Sequence, residues 1–229
     1  MTVSFVGAAS AEATSLTLPA HQAGDLLVML AGATGTTAPP AIPAGWRFAT
    51  QSSGSGVSPP AIAGAVAWKI AADSAEISGT WTGANALICA VIRHTTNVLV
   101  IGGIAKTTGS SATVNYAVLL ANSGQSIQGM RFSSSYIILP VIATSNTSDI
   151  DTAPTAATTT ITSIAGAAAI EMAIHRTNTE VASWASTNYT ANTSVRFATW
   201  TIEVLDTGFA KASVGGMLIH PGMSGGMRG

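Results

Sequence analysis

Apolar and polar residues alternate along much of this chain with a period of two, and clusters of Gly, Pro, Ser and Thr interrupt the alternation every few residues. That is the signature of short β-strands joined by turns. It is clearest near the end: Ala198, Trp200, Ile202 and Val204 share one face of a strand over 195–205, and Thr199, Thr201 and Glu203 share the other. Leu16 and Leu18 alternate with Ser15 and Thr17, which predicts a half-buried strand. The run Leu26-Leu27-Val28-Met29-Leu30 after Gly24 and Asp25 is continuously apolar and predicts a central strand covered on both sides. Further strands are expected at the N-terminus and over 46–50, 61–71, 77–81 and 86–93, then over 111–116, 136–143, 158–163, 165–174 and 180–184. The Ala-rich 165–173 segment has helical propensity, but the flanking Thr runs favour a strand.

The chain also repeats itself. Ile62-Ala63-Gly64-Ala65-Val66-Ala67-Trp68-Lys69-Ile70-Ala71 returns as Ile164-Ala165-Gly166-Ala167-Ala168-Ala169-Ile170-Glu171-Met172-Ala173, with six of ten positions identical. The flanks follow: 76–81 is answered by 180–184, Pro39-Pro40 by Pro154, 26–33 by 136–143 and 13–18 by 111–116. A repeat of whole strand series fixes an architecture before any local assignment does. Two pseudo-repeats, about 2–94 and 98–205, are expected to build one all-β, jelly-roll-like sandwich; two small tandem sandwiches are the alternative. The junction Thr95-Thr96-Asn97 is short for an independent linker. Residues 206–229, rich in Gly and Met, leave the pattern and are expected to form a flexible tail that orders only against a neighbouring subunit.

Composition sharpens the class. Charged residues make up 8% of the 229 and the net charge is −1, against about a quarter charged in ordinary soluble domains. Such a surface is covered by Ser, Thr, Asn and Gly, and suits proteins that stay assembled. No basic stripe exists to displace counterions, so nucleic acid is not expected as a partner. No apolar run reaches the ~20 residues of a membrane span, and the start lacks the basic region of a signal peptide, so synthesis in a cytoplasm without membrane insertion is expected. The single cysteine, Cys89, lies in an apolar run and reads as a small buried hydrophobe.

Candidate chemistry is sparse. Gly222-Met223-Ser224-Gly225-Gly226 matches a nucleophile elbow in letters, but no acid or histidine follows it. His21, His94, His175 and His220 have no metal-ligand spacing and read as exposed loop or strand-edge residues. Glu76 and Glu180 recur at equivalent places, which would hold them too far apart for a glycosidase pair. No catalytic, cofactor-binding or metal-ligating set is expected. Possible ligand contacts are Trp46, placed in a turn by Pro43 and Gly45 and so the best candidate for an exposed aromatic, with Asn146, Asp149 and Asp151 in a polar loop. The other tryptophans, Trp68, Trp81, Trp184 and Trp200, read as core or interface residues.

Leu16-Thr17-Leu18-Pro19-Ala20-His21-Gln22-Ala23-Gly24-Asp25-Leu26-Leu27-Val28, then Pro43-Ala44-Gly45-Trp46, Ala67-Trp68-Lys69-Ile70-Ala71 and Ser78-Gly79-Thr80-Trp81, resemble the β-rich structural proteins of tailed bacteriophages and prophages. The resemblance covers mainly residues 3–93 and more weakly 98–205, and rests on turn and strand markers. It implies a non-enzymatic virion protein of the tail, a fibre or the capsid surface, acting as a homo-oligomer among other virion proteins. A receptor- or carbohydrate-binding module that presents Trp46 and Asn146 to a bacterial surface glycan is the alternative.

Overall fold

The computed structural model describes residues 3–54, 61–120, 135–144, 150, 152–166, 169–185 and 187–206. Among the described residues, ten antiparallel strands form two five-stranded sheets. The first sheet contains β1 (Val3–Ala11), β2 (Leu26–Thr34), β3 (Arg47–Gly54), β4 (Ile62–Ile70) and β5 (Ala86–His94), in the order β1-β5-β2-β4-β3. The second contains β6 (Leu99–Tyr116), β7 (Tyr136–Thr144), β8 (Thr158–Gly166), β9 (Ile170–Thr177) and β10 (Thr187–Asp206), in the order β6-β10-β7-β9-β8. The protein is thus an all-β sandwich, and the chain completes one sheet before it begins the other.

The two strand orders are the same order, shifted by five strands. Edge β1 packs beside edge β8, and edge β3 beside edge β6, so a two-fold rotation through the middle of the sandwich exchanges the halves. Even the irregularities repeat. The edge strands β1 and β6 each bulge early, at Phe5/Gly7 and opposite Ile202/Val204, and β3 and β8 bulge at Phe48/Thr50 and Thr160/Thr162. A bulge twists an edge and interrupts its hydrogen-bonding template.

The central strand of the first sheet, β2, is buried on both faces from Leu26 to Ala33, as its unbroken apolar run predicts. Inward-facing residues of both halves form the shared core: Leu26, Val28, Leu30, Val66, Ile88 and Ile92 meet Ile138, Ile142, Met172, Trp200 and Ile202. Two glycines let the layers close. A Cβ on Gly32 would lie 2.6 Å from Ile142 Cδ1 and from Met172 Sδ, and one on Gly64 would lie 2.7 Å from the Trp200 ring.

Each sheet also has an apolar outer face with its own cover. On the first, Leu27, Met29, Ala65, Ala67 and Cys89 lie under Leu16, Trp46 and Trp81. On the second, Ile137, Leu139, Val141 and Ala173 lie under Val114, Tyr116, Leu119, Ile150 and Trp184. There β6 and β10 run on past the sheet as a paired arm, Thr187 opposite Tyr116 and Val195 opposite Ser111. The Thr face of β10 is therefore not a solvent face. Thr199 and Thr201 are fully buried and donate to the carbonyls of Asn115 (2.6 Å) and Ala117 (2.7 Å). Glu203, equally buried, accepts from Gly103 N–H (2.8 Å) and the Ser135 hydroxyl (2.9 Å). Buried polar groups are tolerated when so partnered.

Several expected strands are corrected. Residues 15–18 and 77–81 are extended but belong to no ladder, and 180–184 makes only isolated bridges at Val181 and Trp184. At 15–18 the cause is that Leu16 and Leu18 anchor a loop on the outer face of the sheet, which reproduces the period of a strand. The 165–174 segment is not one strand either. It contains the end of β8, a turn with Ala169 at φ 53°, and the start of β9. The doubled string is consequently out of structural register. Ile62 pairs with Thr34, and its counterpart opposite Thr144 is Ile170, six residues beyond Ile164. Strand β10 continues through Asp206, the first residue expected in the tail; residues 207–229, including the Gly222–Gly226 string, lie outside the described residues.

Candidate functional site

The loops that cover the first sheet enclose a surface groove of about 760 Å³, walled by residues 15–21 on one side and 74–80 on the other. Ser78 holds the walls in place. Its hydroxyl accepts the Leu16 N–H (2.9 Å), and its carbonyl accepts the indole N–H groups of Trp46 (2.9 Å) and Trp81 (3.1 Å). Those two rings meet edge to face at 5.6 Å, a favourable aromatic geometry. Lys69 Nζ sits 4.8 Å from the Trp46 ring and bonds Glu76 at 2.5 Å and the Ile77 carbonyl at 3.0 Å. The Lys69 hydrogen bond, with a second from Ala72 N–H, holds the Glu76 carboxyl below its ordinary pKa.

Trp46 is therefore not an exposed aromatic. It is 8% exposed, because the Gly45 turn (φ 87°) folds the ring back onto the sheet, where Ser78 satisfies its N–H. The tryptophan that stays partly open is Trp68, with the Arg47 guanidinium 5.0 Å from its ring. Asn146, Asp149 and Asp151 lie outside the described residues, and Ile150 between them is fully buried. What the alternation did not single out is Ile77, 74% exposed at the groove, and Ser78. Their string read as a strand, and only the Ser-Gly pair ahead of Trp81 hinted at a turn.

Several other ionisable groups of the described residues hold the structure together. Asp25, almost wholly buried, takes two bonds from Arg93 (2.7 and 2.6 Å) and one from Gln22 N–H (2.9 Å). His94 Nδ1 accepts the N–H groups of Thr96 and Asn97, which leaves the proton on Nε2, 3.3 Å from Asp206. His175 is fully buried, against the expectation of an exposed edge residue, with Thr160 Oγ1 3.0 Å from Nδ1. Burial pushes its pKa down to about 4, only partly opposed by the Ile150 backbone. Burial likewise pushes the Cys89 thiol up to about 12. Among the described residues, no cluster of three or more His, Cys, Asp or Glu side chains is placed to hold a metal ion, and no helix is long and apolar enough to cross a membrane.

A second feature is the flank where β1 and β8 end their sheets side by side. Neither nine-residue strand contains a charged residue or a proline. Beyond the bulges, regular pairing resumes over 7–11 and 162–166. Val6 is exposed at the β1 bulge.

Fold and topology together define a class, an all-β sandwich of two sheets with the same strand order. Comparison with family models, with curated proteins and with solved structures finds no match for the chain.

Proposed function

We propose that this protein is a non-enzymatic structural component of a bacteriophage particle, in the tail, a fibre or on the capsid surface, and that it works as a homo-oligomer in contact with other virion proteins. The observation that carries the assembly part is that the edge strands β1 and β8 contain no charged residue or proline, although Arg176 of β9 reaches this flank, its guanidinium 4.4 Å from the Phe5 ring. Exposed edges are ordinarily blunted by Lys, Pro or a bulge, because their free backbone groups recruit other strands. Here the bulges are present but charge and proline are not. A second copy meets no like-charge repulsion along either strand. The carboxylates resolved in the sandwich are engaged in holding loops, as with Asp25, Glu76 and Glu203. The particle itself is suggested by the resemblance of residues 3–93 to phage structural proteins. Light scattering of the purified protein should give a discrete oligomer, and cryo-EM of the particle should locate its density. A monodisperse monomer, absent from particles, overturns the proposal.

A second reading, a carbohydrate-binding module on the particle surface, draws on the groove between 15–21 and 74–80 rather than on the Trp46 loop.

A further inference from the structure

We infer that this groove binds an uncharged oligosaccharide, with Ile77 as its apolar platform. The inference rests on the carbohydrate-binding reading and is independent of the assembly reading. Four lines of chemistry converge on it.

The rims carry hydroxyls: Ser15 and Thr17 on one wall and Ser74 and Thr80 on the other, all exposed. A hydroxyl both donates and accepts, which matches the mixed donor and acceptor ring of a sugar better than it matches an anion or a cation. On the 74–80 wall Ile77, 74% exposed, offers an aliphatic surface to the C–H face of a pyranose. Leaving so large an apolar side chain in water is unfavourable relative to burial.

The groove also exerts little net field. Its carboxylate, Glu76, is neutralised by Lys69. His21 Nδ1 lies 2.6 Å from the Pro19 carbonyl and donates to it, so that nitrogen is committed to its own wall, while Nε2 is buried without a partner. A charged glycan gains no counter-ion there and would lose hydration.

Finally, the groove is preformed. Ser78 ties both walls to two buried indoles, and Gly79, at φ +70°, packs against Pro43 too closely for any Cβ. Ligand binding then orders little chain, which removes a cost that weakens binding by mobile loops. The volume of about 760 Å³ falls within the range of sites that accept several sugar rings or a comparable molecule.

The test is an array of uncharged, sialylated and sulfated oligosaccharides, with extended peptides as a further set, probed with the full chain and with Ile77→Asp. Because Ile77 is exposed, the variant should fold; unchanged near-UV dichroism from Trp46 and Trp81 checks this. We expect uncharged glycans to bind, and the variant to bind them at least tenfold more weakly. A Thr17→Val/Thr80→Val double variant, which removes hydroxyls without adding charge, should weaken the same glycans several-fold. Capture of charged glycans only, capture of peptides only, or no capture overturns the inference. Uncharged-glycan binding that ignores both variants overturns the groove while leaving a carbohydrate-binding module elsewhere on the protein.

Discussion

Gly64 and Trp200 meet across the sandwich, one from each sheet, and the indole occupies the space that a Cβ on Gly64 would need, 2.7 Å from ring atom Cη2. Gly64→Ala should therefore destabilise the protein by about 1–3 kcal/mol, the usual cost of overpacking a core. Trp200→Phe in the same chain should recover part of that loss. Urea unfolding of the two single variants and the double variant checks both statements, since a coupling term near zero would mean that the residues do not share the space.

The buried His175 sets an acid limit. Its pKa falls to about 4 in the folded protein, against an unfolded value near 6.5. Above pH 6.5 both states are neutral and the residue contributes no pH dependence. Below it the unfolded chain takes up a proton that the folded one refuses, so stability falls as pH drops toward 4, by on the order of 3 kcal/mol. His175→Gln should flatten that slope by one proton, as measured from unfolding free energies between pH 7 and 4.

Arg93→Ala should be costlier than its partial exposure suggests. It strands the Asp25 carboxylate, buried at the entry to β2, with only the Gln22 N–H as partner. A loss of about 3 kcal/mol is expected for breaking such a pair. Asp25→Asn, which keeps the shape and the Gln22 bond, should cost less. Thermal melts at neutral pH would rank the two.

Cys89 should be inert to thiol reagents in the folded state, because it is buried and its thiol titrates only near pH 12. Labelling by a disulfide reagent at pH 8 should proceed only through opening of the first sheet, at a rate that rises steeply with denaturant. Fast labelling without denaturant would show that the outer-face loops do not seal the strand.

Charge placed on the two edge strands should dissolve the proposed assembly without unfolding its subunits. Ser10 and Ala165 are exposed on β1 and β8, so Ser10→Lys with Ala165→Lys should give a folded monomer by light scattering. An oligomer unchanged by both substitutions moves the interface elsewhere.

The sequence made the strands of the sheets legible where burial enforces a pattern. The solid apolar run of β2 and the alternation in β10 each has one physical solution. It could not distinguish a strand from a loop lying on a sheet, because Leu16 and Leu18 alternate with polar residues for the same reason as ladder residues, to pack on the sheet. What separates them is that Leu16 N–H bonds a serine side chain instead of a backbone carbonyl. The repeat was visible but misregistered, since Ile-Ala-Gly recurs once at the start of β4 and once at the end of β8. Small residues carry little positional information. The groove was hidden for a related reason: Trp46 drew attention by its turn, but the turn exists to bury it, and the exposed apolar residue is a neighbour of Ser78.

Because each sheet is finished before the next begins, the four residues between His94 and Leu99 are a tether, and the central core is a subunit interface carried on one polypeptide. A short tether keeps its two modules at a local concentration in the millimolar range. The same complementary faces are present on every other copy. Gly32 and Gly64 thus sit at the joint between two halves that the short turn at His94, Asn97 and Asp206 holds on one chain.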